Sequence, residues 1–370
     1  MALTIGGGIN IGGNISISVE TGVAIAVATS NTPFIVAYPF TTNGGFGTKY
    51  ADPSTLPGTS QQSRRCAFNP AGTALAVGAD SVSASNVDVY PFNQTTGFGT
   101  RYANPSTAHS LGSIFDVAWS PDGTVLAICG TSSPYVAAYQ WIEGVGFGTK
   151  YTSPATVTSS QLNGVAFNPA GTVIAVAGHA GSSQYVINAW PWSNSTGFGT
   201  RYTAPAAALQ GWGTGGVAWS PSGSAVAATG NFAATTSALQ VYRWSDSSGF
   251  GTQYTNPASV PTAAYGRTVT WSASGGALFL GQDTSPYLYA WSWSDSTGFG
   301  TQYSLPATSP PGSTVKSIAV RPGNNAVATA SGSNTPPRVW TWTDSAGFGT
   351  KYSDPATWAG TDPLGVDFCP

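Results

Sequence analysis

Short apolar stretches, separated by small polar residues, Gly and Pro, run along the chain in a recurring set of four. The first type ends in a turn, as in VAWSPDG from Val117 and VAFNPAG from Val165. The second is small and apolar, as in LAVG from Leu75. No stretch carries apolar residues at i, i+3, i+4 and i+7 over three turns. The pattern therefore predicts strands rather than helices.

The third and fourth stretches carry most of the aromatic residues. The third ends in two rings that are two residues apart, such as Trp190 and Trp192, and the fourth begins with GFGT and ends near a proline. Residues two apart in a strand point to the same side, so these rings are predicted to wedge between neighbouring sheets. The recurring positions account for 34 of the 45 aromatic residues, and a ligand cage would have to come from the remainder.

The GFGT motif sets the period of the repeat. It occurs seven times, with successive copies 49 to 52 residues apart, and it opens at Gly45, Gly97, Gly146, Gly197, Gly249, Gly298 and Gly347. Four strands in a unit of about 50 residues are typical of one blade of a β-propeller. The sequence therefore predicts an all-β, seven-bladed β-propeller of four-stranded blades over residues 20–370.

The two ends of the chain complement each other. The last residues, GVDFCP from Gly365, match the first stretch of a unit and then stop. The chain starts its repeats at VAIAVATS from Val23, which matches the second stretch. The C-terminal strand is therefore predicted to complete the blade whose other three strands lie near the N-terminus.

Units such as VAWSPDG followed by TVLAICG and an aromatic strand end resemble WD40-type propeller repeats over residues 20–370. The Gly-His pair of that family is missing, and Trp-Ser, Trp-Thr or Pro-Phe replaces its Trp-Asp dipeptide. The family's buried His-Asp network is therefore not expected here. The GFGTKY repeat, together with an Ile/Gly-rich leader, resembles propeller proteins encoded by tailed, especially marine, bacteriophages. That resemblance implies a virion component, with a cytoplasmic protein as the alternative.

Residues 1–19 differ from the repeats, because they alternate Ile with Gly, Asn and Ser and carry no charge. An extended segment would place five isoleucines on one face, which suits a strand added to the edge of another sheet. The segment is therefore predicted to be an anchoring arm that joins other virion proteins, with a flexible tail as the alternative. The five residues are Ile5, Ile9, Ile11, Ile15 and Ile17.

Composition excludes several classes of partner. The net charge is −2 and there is no basic stripe, so nucleic acid is not an expected partner. No apolar run is long enough for a transmembrane helix, so no membrane is expected. No Lys or Arg precedes Glu20, which does not fit a secretory signal. The three cysteines, Cys66, Cys129 and Cys369, lie at non-equivalent points of the repeat and are predicted to be buried thiols rather than disulfides or zinc ligands.

Few residues offer chemistry. The chain has two histidines, His109 and His179, and neither lies in a recognisable catalytic motif, so both are interpreted as solvated loop residues. No metal site and no cofactor is predicted. Asp246, Asp295 and Asp344 lie in the turns before GFGT, where an aspartate commonly caps its own backbone.

Five basic residues share one position, directly before the tyrosine of the fourth strand. They either protect an exposed sheet edge from pairing or form a basic belt that docks onto a neighbour. These residues are Lys49, Arg101, Lys150, Arg201 and Lys351.

The loops that vary between units are the predicted binding face, for a neighbouring protein or a host-surface glycan. Trp212 and Trp358 fall outside the structural positions, and an exposed Trp suits sugar stacking or a protein contact, unless each ring folds back over its own loop. The other candidates on this face are Arg64, Arg65, His109, His179, Tyr265 and Arg267, with Lys316, Phe232, Gln282 and Asp283 in the same loops.

Three functions fit these observations to different degrees. A non-catalytic structural module of a phage virion, displaying a rigid disc for adhesion, is favoured by the low charge and the lack of a catalytic set. A propeller scaffold for protein partners is the alternative. A propeller hydrolase or lactonase needs acids or histidines near the central channel, and the candidates, Asp116 and Asp367, are too few to favour it.

Overall fold

A computed structural model describes residues 22–58, 62–80, 86–155, 157, 159–180, 184–205, 215–230, 238–261, 264–332, 334–358 and 360–370. Within these ranges the chain forms 28 strands in seven four-stranded antiparallel sheets, with no helix. None of the described segments is a helix of the length and hydropathy that crossing a bilayer requires. The predicted arm, with Ile5, Ile9, Ile11, Ile15 and Ile17, lies outside the described residues.

The first four blades take their strands in chain order, apart from the closing strand of the first. Blade 1 contains β1 (Val23–Thr29), β2 (Ile35–Thr41), β3 (Gly45–Phe46) and the last strand, β28 (Pro363–Phe368). Blade 2 contains β4 (Ser63–Phe68), β5 (Ala74–Ala79), β6 (Val87–Asn93) and β7 (Gly97–Phe98). Blade 3 contains β8 (Ile114–Trp119), β9 (Val125–Gly130), β10 (Val136–Ile142) and β11 (Gly146–Lys150). Blade 4 contains β12 (Gln161–Phe167), β13 (Val173–Ala180), β14 (Gln184–Ser193) and β15 (Gly197–Phe198).

The remaining blades repeat the same order. Blade 5 contains β16 (Val217–Trp219), β17 (Ala225–Thr229), β18 (Leu239–Ser245) and β19 (Gly249–Gln253). Blade 6 contains β20 (Gly266–Trp271), β21 (Ala277–Gln282), β22 (Leu288–Ser294) and β23 (Gly298–Gln302). Blade 7 contains β24 (Val315–Val320), β25 (Ala326–Ser331), β26 (Arg338–Thr343) and β27 (Gly347–Lys351).

The ring closes between the two ends of the chain, as the sequence predicts. β28 pairs antiparallel with β1, so that Phe368 lies opposite Ile25 and Val366 opposite Val27. The innermost strands of successive blades contact one another in cyclic order, from β28 through β4, β8, β12, β16, β20 and β24 back to β28. The all-β, seven-bladed propeller is therefore confirmed, and the innermost strands enclose a central axis.

Aromatic rings fill the spaces between blades, which confirms the wedge predicted from their spacing. Phe92 of blade 2 contacts Phe68 of its own innermost strand at 5.0 Å and Tyr50 from blade 1 at 5.5 Å, with the rings edge to face in both cases. The same ring of Tyr50 covers Gly97, where a Cβ would lie 2.8 Å from the Tyr50 Cβ. Gly97 also has a φ of 82°, which favours glycine. The first glycine of GFGT is therefore required both by its backbone and by the tyrosine of the preceding blade.

Acidic turn residues join neighbouring blades rather than only capping their own turns. Asp295 accepts hydrogen bonds from the indole Nε1 of Trp293 at 2.7 Å and from the Ser222 hydroxyl of blade 5 at 2.5 Å. Asp246 and Asp344 accept equivalent bonds from their own tryptophans and from the first hairpin of the preceding blade. The interpretation of these three aspartates as simple turn caps was therefore incomplete, because their main partners are 70 or more residues away in sequence.

The five basic residues of the fourth-strand position reach acceptors close to their own blade. Lys49 and Lys351 bond to Asp52 and Asp354, three residues further on. The other three, Arg101, Lys150 and Arg201, bond to Asp88, the Ala108 carbonyl and Asn188 respectively. Both proposed roles, edge protection and a docking belt, stay predictions.

The three cysteines are buried and free, in agreement with the sequence-based prediction. Burial raises the pKa of the Cys66 and Cys129 thiols, and it raises that of Cys369 to about 12. A thiol with a raised pKa contains little of the reactive thiolate at neutral pH.

Candidate functional site

One residue from each blade lines a cavity of about 210 Å³ on the central axis. Each residue lies four positions before the end of the innermost strand of its blade, within the strand in six blades and two residues before β16 in blade 5. We call them the mouth ring. In blade order they are Leu364, Arg64, Phe115, Asn163, Gly215, Arg267 and Lys316. Arg65 and Thr314 complete the described lining of the cavity.

A β-bulge places the side chains of the mouth ring in six of the seven blades. In blade 2, Ser63 pairs with Ala79 and Arg65 with Gly78, which leaves Arg64 as an extra residue outside the ladder. The same register shift occurs in blades 1, 3, 4, 6 and 7, at Leu364, Phe115, Asn163, Arg267 and Lys316. A bulge re-aims the side chain of the extra residue, and bulges are enriched next to active sites. Six innermost strands therefore present one side chain each to the cavity, outside the regular ladder, and blade 5 contributes Gly215.

Two arginines of the mouth ring are held from the side by carboxylates. Arg64 forms an ion pair with Asp80, whose other oxygen accepts a hydrogen bond from Ser113 at 2.5 Å. The Arg64 guanidinium also lies over the ring of Phe115, 4.8 Å from its centroid. These contacts fix the direction of the guanidinium, and its remaining N–H groups can serve a ligand.

Arg267 repeats this arrangement in blade 6. Its Nη2 lies 3.4 Å from Asp283 Oδ2, and its guanidinium carbon lies 5.3 Å from the centroid of Tyr265. Asp283 is fixed in turn by the backbone N–H of Tyr265 at 2.9 Å. Asp80 and Asp283 each directly follow the second strand of their blade, so the Arg–Asp pair occurs twice at equivalent places.

Lys316 differs from the two arginines, because Gly332 occupies the place where blades 2 and 6 carry an aspartate. A Cβ at Gly332 would lie 3.3 Å from the Lys316 Nζ. The pKa of the Lys316 amine is lowered, mainly by burial; Asp362 opposes the shift, and Arg64, Arg267 and Arg65 add to it. Lys316 is therefore an ammonium group set among other cations.

Asp116 lies beside the cavity, in contact with one of its lining residues. Its Oδ1 is 3.9 Å from Arg65 Nε, and the backbone N–H groups of Val117 and Val165 donate to its two oxygens at 3.0 Å. Its side chain is 19% exposed. Burial raises the pKa of this carboxyl to about 6, although Arg65 and the two N–H groups lower it. A carboxyl with a pKa near neutrality can accept and return protons at physiological pH.

The sequence-predicted binding residues are only partly brought together. Arg64, Arg65 and Arg267, with Lys316, meet at the cavity, but they lie in innermost strands and not in the variable loops as predicted. Tyr265 borders the site through Arg267 and is 38% exposed. Trp212 lies outside the described residues, as does Phe232.

The remaining predicted residues lie elsewhere. His109 is 1% exposed, so its interpretation as a solvated loop residue was wrong; its Nδ1 accepts the Leu111 N–H at 3.0 Å, and burial, with Lys150, lowers its pKa to about 4. His179 lies near the end of β13, with its Nδ1 3.2 Å from the Ser160 hydroxyl. Trp358 is half-buried and packs against the core between blades 7 and 1, with its ring under Gly360.

Sequence reasoning missed the ring as a unit. No motif surrounds its members, and successive members are about 50 residues apart in the sequence; the four that the sequence did not indicate are Phe115, Asn163, Gly215 and Leu364. When the seven first stretches are aligned on their last residue, which is Phe or Trp in six and Val320 in the seventh, one column holds Arg, Phe, Asn, Gly, Arg, Lys and Leu. That variability, inside otherwise regular strands, is the signal that was available.

No protein-family model matches the sequence, and no curated protein does. Solved structures do match it. The periplasmic gluconolactonase PpgL of Pseudomonas aeruginosa is 14% identical, with 95% of this chain and 99% of that chain covered and a TM-score of 0.67. A Bacteroides fragilis protein, provisionally named a 6-phosphogluconolactonase, is 10% identical, with 96% and 100% covered and a TM-score of 0.72. The Cps50 (Swd1) β-propeller domain of Myceliophteria thermophila is 13% identical, with 81% and 89% covered and a TM-score of 0.53.

At these identities the likeness establishes the propeller fold. The neighbours named as lactonases nevertheless contradict the prediction of a non-catalytic structural protein of a phage virion, and that prediction was wrong. The prediction relied on acids and histidines in local motifs, but this fold assembles its central cavity from single residues of different blades. Binding of a host-surface glycan and a virion or cytoplasmic location stay predictions.

Proposed function

We propose that the protein is a lactone hydrolase whose site is the mouth ring, and that its substrate is a sugar-derived lactone with an anionic group. The observation that carries this proposal is the concentration of charge: four of the chain's twelve basic residues, Arg64, Arg65, Arg267 and Lys316, line one cavity. Like charges in a half-buried cavity repel one another, so such a cluster is most readily explained by an anionic ligand. The names of two whole-chain neighbours support the choice of a lactone.

The residues of the cavity suit the charge that develops in this reaction. When water adds to a lactone carbonyl, the carbonyl oxygen becomes negative, and preorganised donors at that oxygen lower the barrier. Arg64 and Arg267 are preorganised by Asp80 and Asp283. A guanidinium can also bind a carboxylate or phosphate through two parallel hydrogen bonds. The opposite arc of the ring, with Phe115, Asn163 and Gly215, provides an apolar surface, an amide and space for the sugar.

Asp116 is the carboxylate that we assign to the attacking water. Its pKa of about 6 leaves it ionised at neutral pH and able to take a proton as the water adds. Its ion pair with Arg65 ties it to the cavity wall. Removing the carboxylate is expected to lower the rate of ring opening more than the affinity for substrate, because its proton transfer occurs only in the reaction.

The test is ring opening by the purified full-length chain above the spontaneous rate, followed with a pH indicator or by NMR. Glucono-δ-lactone and 6-phosphoglucono-δ-lactone are the two probes, since they differ only in the phosphate. Arg267→Met is expected to lower kcat/KM by about 10- to 100-fold for the better probe, as the loss of a charged hydrogen bond implies. Lys351→Met, on an outer strand, is the matched control. Ring opening at the spontaneous rate with both probes would refute the proposal.

A further inference from the structure

We propose that Lys316 is the proton donor of this site, and that its ammonium group protonates the ring oxygen that leaves when the lactone opens. The inference rests on the proposed function and deepens it, because it names the residue that completes the reaction.

Among the lining residues that the structure describes, Lys316 alone carries a proton acidic enough for an alkoxide leaving group to take in the reaction. A guanidinium keeps its protons at any physiological pH, so Arg64, Arg65 and Arg267 can stabilise negative charge but cannot neutralise it. The hydroxyl and amide of Thr314 and Asn163 are too weakly acidic, and the other lining residues are apolar or glycine. An alkoxide leaving group needs a proton, and the cavity offers one ammonium group to give it.

The architecture of the ring leaves this ammonium group available. In blades 2 and 6 the residue that directly follows the second strand is an aspartate, and it pairs with the arginine of the mouth ring. In blade 7 the same place is Gly332, and the end of the Lys316 side chain lies against it. Because this residue is a glycine, no carboxylate at this place holds the Lys316 side chain in an ion pair. The absence of a side chain at Gly332 also leaves the space in which the end of the Lys316 side chain lies.

The charges around Lys316 favour release of its proton. Arg64 and Arg65 face it from β4 and Arg267 from β20, while Asp362, just before β28, is the carboxylate that acts on it. Burial and the three arginines lower the pKa of the amine, and Asp362 only partly opposes them. An amine with a lowered pKa gives its proton to a leaving group more readily than an ordinary lysine does.

The reaction balances with water as the one co-reactant. The oxygen of water bonds to the lactone carbonyl carbon, and a proton of that water passes to the Asp116 carboxylate. The bond between the carbonyl carbon and the ring oxygen then breaks. The ring oxygen takes a proton from the Lys316 ammonium and becomes the hydroxyl of the product. Asp116 loses its proton to solvent and the Lys316 amine regains one, so both groups return to their starting states.

The decisive variant is Lys316→Arg, which keeps the positive charge but cannot donate a proton. Its kcat is expected to fall by about 100-fold or more, as for other lost acid–base groups, while KM stays within about threefold. In the wild type, kcat should decrease as pH rises, with an apparent pKa below the usual lysine value of about 10.4. This decrease is the alkaline limb of the pH profile, and the variant should lack it. A thermal melt checks that the variant is folded.

Gly332→Asp provides an independent test, because it installs in blade 7 the carboxylate of blades 2 and 6. The new ion pair is expected to raise the pKa of Lys316, so the alkaline limb should move to higher pH and kcat should fall by about tenfold or more. Gly332→Asn has the same shape without the charge, and its pH profile should stay close to that of the wild type.

The outcomes separate the two proposals. In one outcome, the wild-type chain opens a lactone while the Lys316→Arg variant keeps the wild-type kcat or the alkaline limb. That result overturns the proton-donor role and leaves the lactonase proposal intact. Equal pH profiles for Gly332→Asp and Gly332→Asn overturn the role of the missing carboxylate. A wild-type chain that opens neither lactone overturns both proposals together.

Discussion

Asp367 and Phe68 join the closing strand of the ring to the second blade. The Asp367 Oδ2 accepts a hydrogen bond from the backbone N–H of Phe68 at 2.8 Å, so the last strand of the chain is bonded to blade 1 on one side and to blade 2 on the other. Asp116 makes a similar bond, nearer the middle of its strand, from blade 3 to the N–H of Val165 in blade 4 at 3.0 Å. Within the described residues, two contacts between innermost strands therefore contain a partly buried carboxyl.

The stability of the ring should depend on pH through Asp367. Burial raises the pKa of this carboxyl to about 7, against bonds from the Phe68 and Phe368 N–H groups that lower it. In the unfolded chain the pKa is about 3.9. The folded state therefore prefers the proton, and the stability contributed by this group is complete below pH 4 and is lost as pH rises to 7 and above.

Asp367→Asn should remove that contribution to the pH dependence, because the amide does not titrate. Midpoints of urea denaturation at intervals between pH 4 and 8 measure it, with both proteins in the same buffers. As pH rises, the urea midpoint of the variant should increase relative to that of the wild type. A constant gap across this range would contradict the raised pKa.

Deleting Gly365–Pro370 should destabilise the whole ring rather than one end. The deletion removes most of β28, exposes the β1 edge, and leaves the innermost strands of blades 7 and 2 without the neighbour between them. The truncated chain is expected to melt at a lower temperature and to self-associate, as size-exclusion chromatography would show. Deleting Pro370 alone, an exposed residue, is the control. An unchanged melting temperature after the longer deletion would contradict the closure.

The architecture was predictable because local chemistry repeats seven times. The glycine of GFGT, the tyrosine that covers it and the aromatic pair of the third strand each follow from packing that every blade shares, as Gly97, Tyr50 and Phe92 illustrate. The closure was predictable for the same reason, since GVDFCP matches a strand that the first blade lacks.

The candidate site was not predictable as a site, although several of its residues were named. The sequence predicts loop positions for Arg64 and Arg267, because it does not reveal which residue of an apolar strand will bulge out of the ladder. The sequence predicts Asp116 near the channel, but its proximity to Arg65 depends on contacts between blades. A cavity lined by one residue from each repeat has no local sequence motif. Its lining residues can be recognised when equivalent positions of the aligned repeats are compared.

The contact between Trp293 and Asp295 should contribute to stability between blades. Asp295→Ala removes acceptors for the indole N–H and for the Ser222 hydroxyl of blade 5. Leaving a buried donor unsatisfied costs about 1 to 3 kcal/mol, and the free energy of unfolding in urea should fall by that amount. Asp354→Ala removes an exposed partner of Lys351 and should cost less than about 1 kcal/mol. Equal losses in the two variants would show that the Trp293 contact has no special role.

The cations of the mouth ring should bind inorganic phosphate, and this binding is independent of catalysis. Isothermal titration with phosphate is expected to give saturable binding that weakens as the salt concentration rises, because mobile ions screen the attraction. Arg64→Met removes a guanidinium from the cavity wall and should weaken binding by about tenfold or more, the loss typical of a charged hydrogen bond. Lys49→Met, on the outer edge of blade 1, should bind like the wild type because Lys49 pairs with Asp52 far from the axis. Phosphate binding that is equally strong in Arg64→Met and the wild type would place the anion elsewhere, and the cluster of Arg64, Arg267 and Lys316 would then need another explanation.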